Sequence, residues 1–222
     1  MNDADGMLIS FSSETVTPVL GANEVFMDIQ NSGLLEVINH DSANFEARME
    51  MTQVLMGSEI EYIAYYRNNV LYVDLRETDL GFGVKHDIQP VNAFSLLNIH
   101  LDFSEDVILA QSVEEVDQGT QLSFSLNAES LLEVINGQLN TIPVELEQLD
   151  TMEYELIVVL DEDHIIQLIE LSIQFTYEAD GDILEISMNA SLNISLSSNI
   201  IFEFPDDVDE FMEFGEGSLP IF

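Results

Sequence analysis

Carboxylates dominate the side chains of this sequence that could do chemistry. Asp and Glu number 43 against 4 Lys and Arg, and the formal net charge at pH 7 is −39. A carboxyl pair can serve as general acid and base, but glycosidase chemistry needs two at a fixed gap in a cleft, one with a raised pKa. Carboxyls this numerous single out no such pair, and no Trp is present to stack on a sugar ring. His40, His86, His100 and His164 stand alone, with no H-E-x-x-H spacing to place two imidazoles on one helix face. There is no G-x-S-x-G elbow, and Gly81-Phe82-Gly83 lacks the third glycine of a dinucleotide loop. The absence of Cys excludes thiolate nucleophiles, disulfides and Cys-ligated zinc. Asp3-Ala4-Asp5-Gly6 and Asp180-Gly181-Asp182 begin like calcium loops, but neither continues to the bidentate Glu that such a loop requires. The sequence therefore predicts a protein that is not an enzyme, with no catalytic residues, no metal centre and no cofactor.

The same charge sorts partners. Nucleic-acid binding needs a basic footprint to displace counterions, and none exists here. Anionic membrane surfaces are disfavoured by the same sign, whereas basic partners and divalent cations are attracted. No apolar run is long enough to span a membrane. The four basic residues, Arg48, Arg67, Arg76 and Lys85, all lie in one stretch, so most carboxylates must face water. With 46% hydrophobic residues and a mean hydropathy of +0.14, the chain nevertheless folds rather than staying an acidic coil.

Period-2 alternation supplies the elements that would position any site. Leu171, Ile173, Phe175 and Tyr177 alternate with Ser172, Gln174 and Thr176. After the Asp180-Gly181 turn, Leu184 to Leu196 continues in the same way against Glu185, Ser187, Asn189, Ser191, Asn193 and Ser195. Met152 to Leu160 pairs before them through a turn at Asp161-Glu162-Asp163, and Val107 to Val116 and Leu122 to Leu126 add strands upstream. In the first half, Phe45 to Thr52 leads through a Gly57-Ser58 turn to Ile60, Tyr62 and Ala64. Asn68-Asn69, residues tolerant of positive φ, then close a hairpin onto Val70 to Leu75. Spacing of three to four predicts helices from Asn127 to Leu139 and from Pro90 to Leu97, with a terminal helical turn from Asp206 to Phe214. No linker interrupts the chain, so residues 1–222 are expected to form a single domain; Met1 to Ala22 carries no clear pattern.

The fold class expected is mainly β with a few helices (α+β). One face of the sheet would be apolar, carrying Met49, Met51, Tyr62, Tyr154, Phe175 and Met188, and something must cover it. If space remains between sheet and helices, these six side chains would bind a lipid or other hydrophobic small molecule. The alternative is an acidic surface or interaction protein with a filled core, meeting basic partners or divalent cations through its carboxylates.

The run Tyr65-Tyr66-Arg67-Asn68-Asn69-Val70-Leu71-Tyr72, followed by Gly83-Val84-Lys85, resembles a hairpin of the LolA-like secreted bacterial lipoproteins. The stretch Ile200-Ile201-Phe202-Glu203-Phe204-Pro205-Asp206-Asp207-Val208-Asp209-Glu210-Phe211 is similar to the closing strand of that family. The resemblance spans roughly residues 45–214. It implies a curved antiparallel half-barrel closed by helices on its concave face, and an extracytoplasmic, secreted or cell-surface-anchored protein that binds a hydrophobic ligand. It also implies a tether through a lipidated N-terminal Cys, which this sequence lacks along with a signal peptide. Relatives are richer in Lys, so kinship leaves the acidity unexplained.

Overall fold

The computed structural model describes residues 6–18, 26–39, 45–88, 96, 108–116, 119–126, 149–179 and 182–213. Twelve strands occupy most of them. β1 (Gly6–Pro18), β2 (Phe26–Ile38), β3 (Glu46–Leu55), β4 (Ser58–Arg67), β5 (Val70–Asp74) and β6 (Gly83–Asp87) form one antiparallel meander. β7 (Ile108–Val116), β8 (Gly119–Leu126), β9 (Leu149–Leu160), β10 (Ile166–Ala179) and β11 (Asp182–Ser197) form another. Antiparallel pairing of β1 with β11 fuses the two. A short β12 (Met212–Glu213) adds in parallel to β6. The spatial order is β12-β6-β5-β4-β3-β2-β1-β11-β10-β9-β8-β7.

Alternation in sequence becomes two faces in space because successive side chains of a strand point to opposite sides. Cross-strand register carries one apolar row through Tyr62, Met51, Gly33, Phe11, Leu192, Ile169, Val158, Leu122 and Val113, from β4 to β7. Parallel rows above and below it bury Ile9, Leu35, Met49, Ile173, Phe175 and Ile186 in the same core. At Gly33 a side chain is sterically excluded. A Cβ there would stand 2.8 Å from the Phe11 ring and closer still to the Glu50 carbonyl, so Phe11 lies over the bare backbone instead.

Turn chemistry sets the hairpins. Asn68 and Asn69 take φ of 52° and 64° and close β4 onto β5 in the two-residue turn their types favour. The preceding turn sits one residue earlier than Gly57-Ser58: Met56 and Gly57 hold φ of 49° and 80° between the paired Leu55 and Ser58. At the β9–β10 connection, Asp161 Oδ1 accepts hydrogen bonds from the amides of Asp163 and Ile165, each at 2.9 Å. β10 and β11 remain paired to Ala179–Asp182; the Asp180-Gly181 turn itself lies outside the described residues, as does Asp3-Ala4-Asp5.

The expected α+β class and LolA-like half-barrel closed by helices are corrected by this architecture. The sheet is open, with a terminal strand at either end, and among the described residues there is no α-helix to close a concave face. The stretch Asn127 to Leu139, and Pro90 to Leu97 apart from Leu96, lie outside the described residues. The terminal helical turn expected over Asp206 to Phe214 is a 3-10 turn at Val208–Glu210. Its physical reason is capture at both ends. Val208 and Phe211 are drawn down onto Tyr65 and Tyr72, and the next two residues are claimed by the β6 edge.

Candidate functional site

The six residues predicted to line an apolar pocket are placed on one face, in one core. Met49, Met51, Tyr62, Phe175 and Met188 are buried, at 9% exposure or less, and Tyr154 is half-buried against them. Tyr62 donates its hydroxyl to the Met51 sulfur across the β3–β4 pair, and burial pushes its phenol pKa well up, so it stays neutral. These side chains pack against one another, and each sits opposite an apolar neighbour in register: Met49 on Ala64, Met188 on Ile173, Phe175 on Ile186.

Open space lies on the other face. A cleft of about 510 Å³ spans strands β3, β2, β1, β11, β10 and β9. Two polar rows line it. The first runs Thr52, Ser32, Ser12, Ser191, Glu170 and Ile157 across the sheet, and the second runs Val54, Gln30, Glu14, Asn189, Ser172 and Glu155. Gln30 donates to Glu14 at 3.2 Å and Ser172 to Asn189 at 2.8 Å, so neighbouring strands are tied along the second row. A second cleft, of about 590 Å³, shares Glu155 and Ser172 and continues over Ser123 and Ser125 to Gln111 and Ser112 of β7. Tyr154 is the one predicted residue that borders it. Hydroxyls, amides and the carboxylates Glu14, Glu155 and Glu170 line this surface together with the apolar Val54, Ile157, Leu171, Ala190 and Phe124, and no Lys or Arg does. Among the described residues no cluster of His, Asp and Glu is arranged to hold a metal ion.

The basic residues are gathered at the opposite end of the same face. Arg48 bonds Glu36 at 2.8 Å and also pairs with Glu50. Burial opposes the charge on Arg48, but these bonds outweigh it and hold its pKa above the ordinary arginine value. The other three fasten the segment 204–213 over β4–β6. The Arg67 guanidinium lies 4.5 Å from the Phe204 ring centre, and that of Arg76 lies 5.0 Å from Phe211. Arg76 also bridges Asp74 and Asp207, at 2.6 and 2.5 Å, and Lys85 donates to the Asp209 carbonyl at 2.8 Å. Beneath the segment, Gly83 is a seat for Phe211, whose ring carbons would stand 2.8 Å from any Cβ there. The two halves of the sequence resemblance, Gly83-Val84-Lys85 and Phe204 to Phe211, are thus partners in space. All four cations are engaged within the chain.

This strap has a pH dependence with a definite sign. The hydrogen bonds from Arg76 hold the Asp74 carboxyl below its usual pKa, against the opposing pull of burial. A depressed folded-state pKa contributes stability above the unfolded value, about 3.9, and loses it as pH falls through the folded value. The strap should therefore hold from neutral pH down to about pH 5 and loosen only below the ordinary Asp range. The near-UV dichroism of Tyr72, packed edge-on to Phe211, reads this, and Arg76→Gln should abolish the acid-limb change.

Sequence reasoning singled out none of the polar residues that line these clefts, because it followed the apolar half of each alternating strand. The signal was present in the other half, where Glu170, Ser172 and Gln174 and then Ser187, Asn189 and Ser191 face away from the core.

No family model matches the chain, and no curated protein matches it. Two solved structures show distant likeness. A putative AttH from Nitrosomonas europaea aligns at 9% identity and a TM-score of 0.25, over 90% of this chain and 54% of that one. The chain thus spans about half the length of that structure. A porin-like protein from Bacteroides uniformis aligns at 11% identity and a TM-score of 0.26, over 87% of this chain and 96% of that one. Among the described residues no helix is long and apolar enough to cross a membrane.

Proposed function

We propose that this protein is a non-enzymatic acidic binding protein whose hydroxyl- and carboxylate-lined sheet face meets a cationic partner. The observation that carries this reading is the segregation of that face. The clefts are bordered by Glu14, Glu155 and Glu170 without a single basic side chain, while Arg48, Arg67, Arg76 and Lys85 are spent on internal contacts elsewhere. A net charge of −39 adds a long-range field that steers a basic partner toward the surface and repels an acidic one. The hydrophobic-ligand reading has weaker support, since the side chains it needs are packed in the core and only Tyr154 borders a cleft.

The test is calorimetric titration with a lysine-rich peptide at two ionic strengths. Binding should be readily measured at about 10 mM salt, where the Debye length is about 30 Å, and should be lost at about 1 M, where it is about 3 Å. Binding that is indifferent to salt, or equal binding of a glutamate-rich peptide, would contradict the reading.

A further inference from the structure

The two ends of the sheet are finished differently. At one end β6 is paired by β12 and guarded by the strap. At the other, β7 is the terminal strand and, among the described residues, pairs only with β8. Gln111, Ser112, Val113, Glu114 and Glu115 are exposed in succession, so among the described residues this stretch is open on both faces. The apolar row that crosses the sheet ends here on Val113, which is 60% exposed although its neighbours in the row, Val158 and Ile169, are buried. The second cleft runs up to the same strand at Gln111 and Ser112.

We propose that the edge of β7 takes up an extended basic peptide as an additional antiparallel or parallel strand. Strand addition satisfies the outward N–H and C=O groups of an edge and reads alternate side chains on the two faces. An apolar side chain of the incoming strand would continue the row past Val113, and its neighbours in sequence would lie on the polar face beside Glu114 and the cleft bearing Glu155. β7 offers 9 residues, which at about 3.3 Å each is an edge of about 30 Å. A second copy of this chain is the wrong occupant. It would set Glu114 and Glu115 against the like charges of another chain of net charge −39, a device that blocks edge-to-edge association. A strand alternating Lys with Val or Thr meets both the row and the charge.

This inference rests on the preceding reading that the partner is cationic, and one experiment separates the two. A peptide alternating Lys with Val is compared with the same peptide N-methylated at every residue, which keeps its charge and removes the N–H groups of both edges. The N-methylated peptide should bind at least about tenfold more weakly, a loss of about 1.4 kcal/mol. Val113→Asp should also weaken the unmodified peptide while leaving the circular dichroism of the sheet unchanged. Amide exchange should slow across residues 111–116 when the unmodified peptide is bound. Equal binding of both peptides with the salt dependence intact would overturn strand addition and leave the acidic-face reading standing. Binding of neither would overturn both.

Discussion

Phe175→Ala should destabilise the protein by about 3–5 kcal/mol, with the midpoint of urea unfolding lowered and its slope unchanged. Phe175 is fully buried in β10, opposite Ile186, and shares one core with Ile173 and Met188. Truncating it removes the transfer energy of a phenyl ring and leaves a void that strands fixed by ladders on both sides cannot collapse to fill. The magnitude discriminates between roles. A ring lining a roomy ligand pocket already borders empty space, and its removal would cost well under this amount. A ring sealed in a filled core loses contacts on every side. Unfolding curves for Phe175→Ala, with Tyr154→Ala as the half-buried comparison, are the check. A cost for Phe175 near 1 kcal/mol would speak for a pocket at that position.

Gly119→Ala should cost about 3 kcal/mol, a large loss for one methyl group. Gly119 opens β8 at φ 134°, a backbone conformation closed to residues with a Cβ, and an added Cβ would fall 2.0 Å from the Leu160 carbonyl oxygen. The clash is with backbone at the point where Thr120 pairs with Leu160, so relief requires β8 to part from β9. Gly57→Ala is the control. Gly57 also has a positive φ, 80°, but nothing lies within 4 Å of a Cβ built there. Its cost should stay near 1 kcal/mol, the conformational part alone. Thermal unfolding of the two variants side by side gives the difference; equal effects would contradict the close β8–β9 approach.

Much of the sheet was legible because alternation is a local signal. The residues from Leu171 to Tyr177 and from Leu184 to Leu196 fall within β10 and β11, and Asn68-Asn69 is the turn its residue types demand. β1 was not legible. Met7-Leu8-Ile9 is an unbroken apolar run, and Ser12-Ser13-Glu14 gives no contrast between faces. What makes β1 a central strand is pairing with β2 and with β11, some 180 residues away in sequence, and no local pattern announces that. The Met56-Gly57 turn was misplaced by one residue because methionine gives no hint that it will hold φ 49°.

The site was half legible for a related reason. Alternation assigns side chains to two faces but does not say which face is left open. The long rows of aliphatic residues drew attention to Met49, Tyr62 and Phe175, which became core. Ser12, Ser32, Ser191 and Glu170 came together only through cross-strand register, which a single sequence does not contain. The strap was the converse case. Gly83, Lys85, Phe204 and Phe211 stood out by their motifs, and the reason for them, a ring over a bare Cα held by cations, appears only when both ends of the chain segment meet.

The acidic sheet face as the working surface is tested most directly by nuclear magnetic resonance of the chain titrated with a lysine-rich peptide, observing backbone amides and methionine methyls together. Amides of Ser12, Glu14, Glu155, Glu170 and Ser172 should shift, while the methyls of Met49, Met51 and Met188 stay still. Shifts concentrated on those three methyls, with the polar rows unmoved, would contradict the account.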